Sequence, residues 1–359
     1  MYKKYLITSS FLAAMLLGAV TIPNILYDPW WYFNGNILDQ VNPYFNERET
    51  KINLFLKSPQ KYDCLILGSS RVTFLAARYI NGYSCFNMAV SASVGQVGEL
   101  YYFGRYFNKY SSVPKLLIVG VEEFNFQGAP STNIPEFVKQ LKKPPSWYSR
   151  YISLEAIGFT HKVINKNSKS RKRPRVYNQN FEAVFNTNKR LSIDKQVKVI
   201  AENIEGCSYL KPIRLGKNFS PDNIKYYKKL IAEFPGARTI GFVPPISVDR
   251  IFEIYLLGEL EHYLNNIYQT AKLFEEFFDF SLPSIITNDG DLTYDGSHFS
   301  PATYEKIGEI LTKKAGAEAL AVDIKSMDYE QYKQLILMRL ESQEFISEYH
   351  KRCERIIGI

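Results

Sequence analysis

The sequence predicts an α/β fold with a doubly wound, mostly parallel sheet. An N-terminal transmembrane helix precedes this domain and a central insertion interrupts it. Short apolar runs at 62–67, 84–88 and 116–121 are typical of buried parallel strands. The segment 97–110, between the second and third runs, is long and apolar enough for a helix. Strands that alternate with helices at this spacing indicate βαβ units.

The same alternation resumes near residue 220. The apolar spacing predicts three helices, over 221–234, 251–273 and 301–314. It also predicts two strands, over 238–243 and 277–280. Pro244-Pro245 ends the first of these strands, because proline cannot continue a sheet ladder. Pro301 takes the favoured first position of the last helix, and Ser300 is its predicted N-cap.

The first 27 residues predict a single-pass membrane anchor. Lys3 and Lys4 precede an uncharged stretch over 5–27, whose length fits the roughly 17 to 25 residues of a spanning helix. A cleaved signal peptide and a buried helix are the alternatives, because the densest apolar part, 11–22, is short. No small-x-small cleavage site follows, and aromatic residues at 27–32 suit a membrane interface. The paired lysines should stay in the cytoplasm, so we expect an extracytoplasmic main domain, periplasmic or on the outer face.

The rest of the chain divides by composition. We expect four regions: the tip and anchor at 1–27, a juxtamembrane connector at 28–60, the α/β domain at 61–318 with an insertion at about 128–215, and a helical tail at 319–359. The insertion contains a basic run, 162–175, which is either a solvated loop or a contact for anionic headgroups or an anionic polymer. The amphipathic part of the tail, 329–356, is predicted to dock on the domain, with partner binding as the alternative.

Charge and cysteine content restrict the partners. The 44 Lys and Arg exceed the 36 Asp and Glu by eight, which favours an anionic surface, and the membrane-directed N-terminus argues against nucleic acid. We expect no cofactor and no metal, because the four cysteines form no C-x-x-C pair and have no histidine at ligand spacing. Cys64 and Cys85 lie in predicted strands as buried thiols, with a disulfide in an oxidising compartment as the alternative.

Two short motifs carry the chemistry. Gly68-Ser69-Ser70-Arg71 follows the first strand, where a tight turn can present Ser70 at the head of a helix, beside backbone N–H groups that stabilise an oxyanion. Asp295-Gly296-Ser297-His298 precedes the last helix. A serine needs a base such as His298, and Asp295 can hold the tautomer of that histidine. Each motif alone is weak evidence for a catalytic site, since such turns are common.

Together the motifs resemble those of the SGNH (GDSL-like) hydrolases. Gly68-Ser69-Ser70 is similar to the first family block, with Ser in place of Asp, and 295–298 is similar to the last. The run 86–92 resembles the second block and places Ala92 at the oxyanion position. The third block departs from the family pattern. The family has Gly-x-Asn-Asp with an oxyanion Asn, this chain has Val121-Glu122-Glu123-Phe124-Asn125, and an ionised Glu cannot donate a hydrogen bond. Asn125 is the candidate substitute, and an Arg71–Glu123 ion pair beside the site is a further hypothesis.

The resemblance implies a function. It assigns Ser70, His298 and Asp295 to a catalytic triad, and Ala92 and Asn125 to oxyanion binding. The anchor makes the chain similar to the membrane-anchored proteins of teichoic-acid D-alanylation and alginate O-acetylation. That likeness implies a serine esterase or O-acyltransferase acting on acyl groups of an envelope glycan. The alternative is an inactive scaffold that binds polymer or recruits a membrane-bound O-acyltransferase.

Overall fold

The structure is a computed structural model that describes residues 2–33, 35–38, 41–42, 46–91, 96–126, 146–165, 174–185, 221–256, 258–313 and 320–342. Its helices, in chain order, are α1 Tyr2–Tyr27, α2 Glu47–Lys57, α3 Gln96–Tyr110, α4 Trp147–Tyr151, α5 Leu154–Ile164, α6 Ile224–Ala232, α7 Val248–Leu256, α8 Leu260–Ala271, α9 Pro301–Lys313 and α10 Tyr329–Leu340. Its strands are β1 Val41–Asn42, β2 Cys64–Leu67, β3 Cys85–Asn87, β4 Leu116–Gly120, β5 Arg175–Asn178, β6 Ala183–Phe185, β7 Arg238–Val243, β8 Glu276–Asp279 and β9 Val322–Asp323.

A six-stranded sheet forms the centre of the α/β part, in the order β3-β2-β4-β7-β8-β9. The first five strands are parallel and β9 is antiparallel. Counted along the chain, the parallel strands lie in the order 2-1-3-4-5, which is that of the flavodoxin-like doubly wound folds. The predicted α/β class, with its mostly parallel sheet and apolar N-terminal helix, is confirmed.

Continuous apolar runs form the central strands because both faces of the sheet are covered. Every residue of β2 and β4 is buried. The helix predicted over 251–273 is in fact two helices, α7 and α8. Gly258, with φ +72°, lies between them, and a left-handed residue of this kind ends a helix. The edge strand β9 was not predicted, because two residues are too few for a periodic pattern.

The expectation of free thiols at Cys64 and Cys85 was wrong: the two residues form a disulfide. They are Cα partners in the ladder between β2 and β3, so their side chains leave the same face of two adjacent strands. The bond therefore joins the edge strand β3 to β2 at the end where both strands begin. Cys207 and Cys353 lie outside the described residues.

The chain forms two compact units. One comprises Met1–Ser58 and Pro135–Lys189, and the other Pro59–Ile134 and Arg190–Ile359. The first contains α1, the antiparallel sheet β1-β5-β6, and the helices α2, α4 and α5. Helix α2 lies where the sequence predicted a connector with turns. The predicted domain limits stay predictions, and most of the insertion and residues 166–173 of its basic run lie outside the described residues.

Helix α10 of the tail docks on the α/β unit. Its Tyr332 is fully buried and donates a 2.6 Å hydrogen bond to the carboxylate of Asp279, at the end of β8. Asp328 and Gln331 form a capping box that fixes where the helix begins. The tail from 343 onward lies outside the described residues.

Removing the disulfide should destabilise the α/β unit. It closes a loop with a sequence separation of 21, and loop-closure entropy gives such a crosslink about 3 kcal/mol of stability. We expect Cys64→Ala/Cys85→Ala to lower the midpoint of urea unfolding, and dithiothreitol to lower the wild-type midpoint similarly while leaving the variant unchanged. A variant that unfolds at the wild-type midpoint would show that the bond is dispensable.

Candidate active site

The serine turn begins where β2 ends, at the carboxyl edge of the parallel sheet. Gly68 has φ +156°, and a Cβ there would lie 2.4 Å from Cγ2 of Val72. Gly68 therefore lets Val72 pack over the end of the strand, which brings the chain round in a tight turn at Ser69 and Ser70. The following element is a 3₁₀ turn, Val72–Phe74, and the helix that the sequence predicted after Ser70 is absent from this described stretch.

Asn87 fixes this 3₁₀ turn from the neighbouring strand. Its side-chain amide donates to the carbonyls of Val72 and Leu75, at 3.1 and 2.9 Å. Its oxygen accepts from the N–H of Ala89, at 2.8 Å. The end of β3 and the chain after Ser70 are thereby held together, within the run that resembled the second family block.

The structure brings Ser70, His298 and Asp295 into one chain of hydrogen-bonding distances. Nε2 of His298 lies 2.8 Å from Oγ of Ser70. Nδ1 of the same ring lies 2.7 Å from Oδ2 of Asp295. With Nδ1 protonated toward Asp295, Nε2 is the acceptor for the Ser70 hydroxyl proton, which is the arrangement of a nucleophile, a base and an orienting acid. Ser70 is half-buried, so a reactant can reach its hydroxyl.

The D-x-x-H turn is rigid because its own backbone binds the acid. Oδ1 of Asp295 accepts from the N–H groups of Ser297 and His298, at 2.9 and 2.8 Å. Thr293 Oγ1 donates to the His298 carbonyl at 2.9 Å and accepts from the Gly296 N–H at 3.0 Å. One carboxylate oxygen thus shapes the turn while the other orients the imidazole.

The same contacts keep Asp295 ionised. Burial would raise its pKa, but the hydrogen bond from His298, the charge of that imidazole and the N–H groups of Ser297 and His298 outweigh burial and hold the pKa below its ordinary value. A carboxylate in this state can stabilise an imidazolium that forms when His298 takes a proton.

Tyr294 covers one face of the imidazole. The two rings are stacked and nearly parallel, with an interplanar angle of 5° and centroids 5.0 Å apart. The stack restricts rotation of His298 about its side chain. Sequence reasoning missed Tyr294, although its position four residues before the histidine was a usable signal, since both residues flank one tight turn.

Glu122 holds the serine turn from the loop after β4. Its carboxylate accepts from the N–H of Ser69 at 3.1 Å and from the hydroxyl of Ser69 at 2.6 Å. Oγ of Ser69 in turn accepts from the N–H of Arg71, at 3.1 Å. Glu122 therefore positions both residues that flank Ser70, a role that the family comparison of the third block did not predict.

An ion pair lies directly beneath this turn. The guanidinium of Arg71 makes two hydrogen bonds to the carboxylate of Glu123, at 2.6 and 2.7 Å, and both side chains are buried. The hypothesis of an Arg71–Glu123 pair is confirmed. Burial alone would raise the pKa of Glu123, but Arg71 outweighs it and lowers the pKa to about 2.

The pKa of Glu122 shifts in the opposite direction to that of Glu123. Burial raises its pKa to about 7, although the charge of Arg71 and the hydrogen bonds from Ser69 act against the shift. The difference follows from geometry, because Arg71 lies 2.6 Å from Glu123 but 3.6 Å from Glu122. The charge of Arg71 therefore neutralises Glu123 more than Glu122, and burial dominates the pKa of Glu122.

The two predicted oxyanion residues have different outcomes. Oδ1 of Asn125 accepts from the N–H of Glu122 at 2.8 Å and from the hydroxyl of Tyr227 at 2.9 Å, so that this oxygen fixes the loop after β4. Ala92 lies outside the described residues. Oxyanion binding by Ala92 or Asn125 stays a prediction. In the described part of the chain, no group of three or more His, Cys, Asp or Glu could hold a metal ion.

Comparisons with known proteins give no family for this chain. No family model matches it, and no curated protein matches it. A solved structure described as "a putative platelet activating factor from Streptococcus pneumonia" is similar at 8% identity and a TM-score of 0.36, over 75% of this chain and 92% of that chain. A likeness at this level carries no argument, so the interpretation of the site rests on its own geometry.

The burial of Glu122 predicts a pH-dependent stability. Its pKa is about 7 in the folded state and near 4.5 when unfolded, so the folded protein holds a proton that the unfolded chain loses between these values. The free energy of unfolding should therefore fall as pH rises through this window, by on the order of 3 kcal/mol. We expect Glu122→Gln to remove most of that fall in chemical denaturation.

Glu309→Gln is the matched control, because Glu309 is exposed on α9 and makes an ion pair with Lys313 at 3.8 Å. It should keep the wild-type dependence on pH. If Glu122→Gln and Glu309→Gln show the same slope, the pKa of Glu122 is not raised.

Proposed function

We propose that this chain is a membrane-anchored, extracytoplasmic serine esterase or O-acyltransferase of the SGNH (GDSL-like) type. Its substrate would be an acyl group on a cell-envelope polysaccharide or related glycan. One observation carries the proposal. Nε2 of His298 lies 2.8 Å from the hydroxyl of Ser70, and Nδ1 of the same ring lies 2.7 Å from the carboxylate of Asp295. They stand where a doubly wound sheet binds its ligands, at the carboxyl ends of the strands.

The geometry supports a two-step acyl transfer. Ser70 Oγ attacks the carbonyl carbon of an ester or thioester, and His298 Nε2 takes the hydroxyl proton as the bond forms. His298 returns that proton to the leaving alcohol or thiol as the carbonyl re-forms, which leaves an acyl group on Ser70. Water or a sugar hydroxyl then attacks the acyl-serine, with His298 again taking and returning the proton.

The compartment rests on three features of the chain. Helix α1 is long and apolar enough to cross a membrane, and its most apolar window is entirely exposed. Lys3 and Lys4 lie at its start, and basic residues favour the cytoplasmic side. The Cys64–Cys85 disulfide fits the oxidising environment on the opposite side. Together they favour an uncleaved anchor with an extracytoplasmic main domain.

A second candidate is a non-catalytic scaffold that binds polymer or recruits a membrane-bound O-acyltransferase. The loop after β4 favours it, because this loop carries carboxylates where the third block of the SGNH hydrolases has an oxyanion Asn, and Glu122 accepts hydrogen bonds from Ser69. A missing oxyanion donor slows acyl transfer by about 10² to 10³. A site weakened in this way would still bind the acylated partner.

Fluorophosphonate labelling of the full-length chain in detergent separates the two candidates. Such a probe reacts only with an activated serine. We expect Ser70→Ala to abolish labelling, and His298→Ala to slow it by about 10² to 10⁴, the usual contribution of a general base.

Ser69→Ala is the control for the neighbouring hydroxyl, since Ser69 binds Glu122 and does not contact His298 in the described network. It should still be labelled, at Ser70. Folded wild-type protein that resists the probe would exclude a stand-alone esterase and leave the scaffold, or an enzyme active only beside its membrane partner.

The Tyr294 stack should affect the rate of labelling. Tyr294→Phe keeps the ring on His298, and we expect nearly the wild-type rate. Tyr294→Ala frees the imidazole to rotate away from Ser70, and a misplacement of about 1 Å can cost up to about 10²-fold. Equal rates for both variants would mean that the stack has no part in orienting His298.

A further inference from the structure

Helix α5 of the first unit presents three distinct faces. Ala156, Thr160 and Val163 form its buried face. Glu155 and Lys162 lie on an exposed polar face. The third face, which we name the apolar stripe, is also exposed and consists of Leu154, Ile157 and Ile164, with His161 between the last two. This division follows from helical spacing, since residues three and four apart share a face.

The apolar stripe is exposed to an unusual degree. Leu154 is 86% exposed, Ile157 40% and Ile164 45%. The neighbouring segment adds Ile152 and the two aromatic residues Trp147 and Tyr148, each also exposed. Scattered apolar residues on a surface need no explanation, but a contiguous set on one short segment marks an interaction site.

The buried face of α5 packs directly on the last turns of α1. Thr160 donates to the side-chain oxygen of Asn24 at 2.6 Å, and Asn24 donates to the carbonyl of Tyr151 at 2.8 Å. Phe159 packs edge-on against Trp30, which follows α1. The helix that carries the apolar stripe is therefore fixed to the C-terminal end of the apolar helix.

The length of α1 sets the depth of that contact. A bilayer core about 30 Å thick takes about 20 helical residues at 1.5 Å each. Counted from Tyr5, the first residue after the lysines, the core ends near Asn24. Asn24 is buried with its side chain hydrogen-bonded, as a polar group at the edge of the hydrocarbon requires. With α1 across the bilayer, the contact between Thr160 and Asn24 would place the middle of α5 at the level of the headgroups.

We propose that the apolar stripe inserts into the headgroup region of the bilayer that α1 crosses. The proposal goes beyond the enzymatic function and rests on one part of it, the membrane crossing of α1. An interfacial helix buries its apolar face about 5 to 10 Å into the headgroup boundary and keeps charged residues on the opposite side. Glu155 and Lys162 lie on the other exposed face of α5, away from the apolar stripe, and Trp147 and Tyr148 are residue types enriched at such interfaces.

The inserted helix gives the first unit a second attachment to the lipid. A single helix lets an attached domain pivot about its exit point. Two contacts, α1 across the bilayer and α5 along its surface, fix the orientation of this unit relative to the membrane plane.

Depth-dependent fluorescence quenching in vesicles tests the proposal on the full-length chain. A genetically encoded dansylalanine replaces Leu154 or Ile157 on the apolar stripe, Glu155 or Lys162 on the polar face, and Phe11 within α1. The vesicles contain phosphatidylcholine and phosphatidylglycerol, with a nitroxide either near the headgroup or near the chain end. The exposed positions on α5 accept the larger side chain without disturbing the core.

We expect the reporters at 154 and 157 to shift their emission to the blue and to be quenched by the shallow nitroxide. Those at 155 and 162 should keep the emission of a solvated dansyl group. Reporters on the stripe that stay solvated while the one at position 11 is quenched by the deep nitroxide would overturn the proposal and leave the membrane anchor intact.

Two other outcomes also overturn it. Blue-shifted emission on the stripe without lipid quenching would mean that protein, such as a second copy of the chain, covers this face. A reporter at position 11 that no nitroxide quenches would show that α1 does not cross the bilayer, and the anchor would fail together with the proposal. The triad is tested separately by the fluorophosphonate probe, so neither result decides the chemistry.

Discussion

The hydrogen bond between His298 and Ser70 joins residues 228 positions apart, and the order of the parallel strands makes it possible. Parallel strands all end on one edge of the sheet, so the loops that follow them converge there. Strand β2 lies inside the sheet between β3 and β4. The turn after β2 therefore lies among neighbouring elements, and the end of β3 and the loop after β4 each contribute a residue that holds this turn or the 3₁₀ turn that follows it.

Those supporting residues show what the two acids of the loop after β4 do in this structure. Glu122 binds Ser69, and Glu123 binds Arg71, so two adjacent acids hold the residues on both sides of Ser70. A buried charge is tolerated only when it is paired and hydrogen-bonded. Arg71 can neutralise one carboxylate fully, and it does so for Glu123. The loop after β4 thus supports the turn that contains Ser70, and an amide side chain at position 122 would not provide the two carboxylate oxygens to which Ser69 donates.

The sequence predicted the parts of the fold that periodicity governs. The buried strands and most helices appear as apolar runs, and two short motifs contained the three residues that the structure brings together at the carboxyl edge of the sheet. The disulfide was only the alternative to free thiols, because pairing Cys64 with Cys85 depends on strand register, which no local pattern reveals. The sequence was compared at Glu122 with the oxyanion Asn of the third block. The contact of Glu122 with Ser69 could not be predicted in this way, because it forms only when two loops meet in space.

The contact between the predicted connector and the predicted insertion is a second feature that local sequence patterns do not reveal. Asp28, directly after α1, accepts hydrogen bonds from the N–H groups of Tyr32, Phe33 and Gly35, and from the hydroxyl of Tyr151. Burial raises the pKa of this carboxyl, while Tyr151 and the N–H groups act against the shift. Tyr151 thus completes the turn at Asp28. Neither segment alone could satisfy the buried polar groups of this turn.

That shared turn explains why the segment after α1 is folded rather than a flexible tether. Asp28 and Trp31 both adopt positive φ, 38° and 55°, a conformation that costs free energy in residues other than glycine. Such a conformation persists only where its surroundings fix it, and here the Asp28 carboxylate and the packing of Trp30 against Tyr151 do so. The end of α1, the turn after it and the helices α4 and α5 therefore form one packed unit.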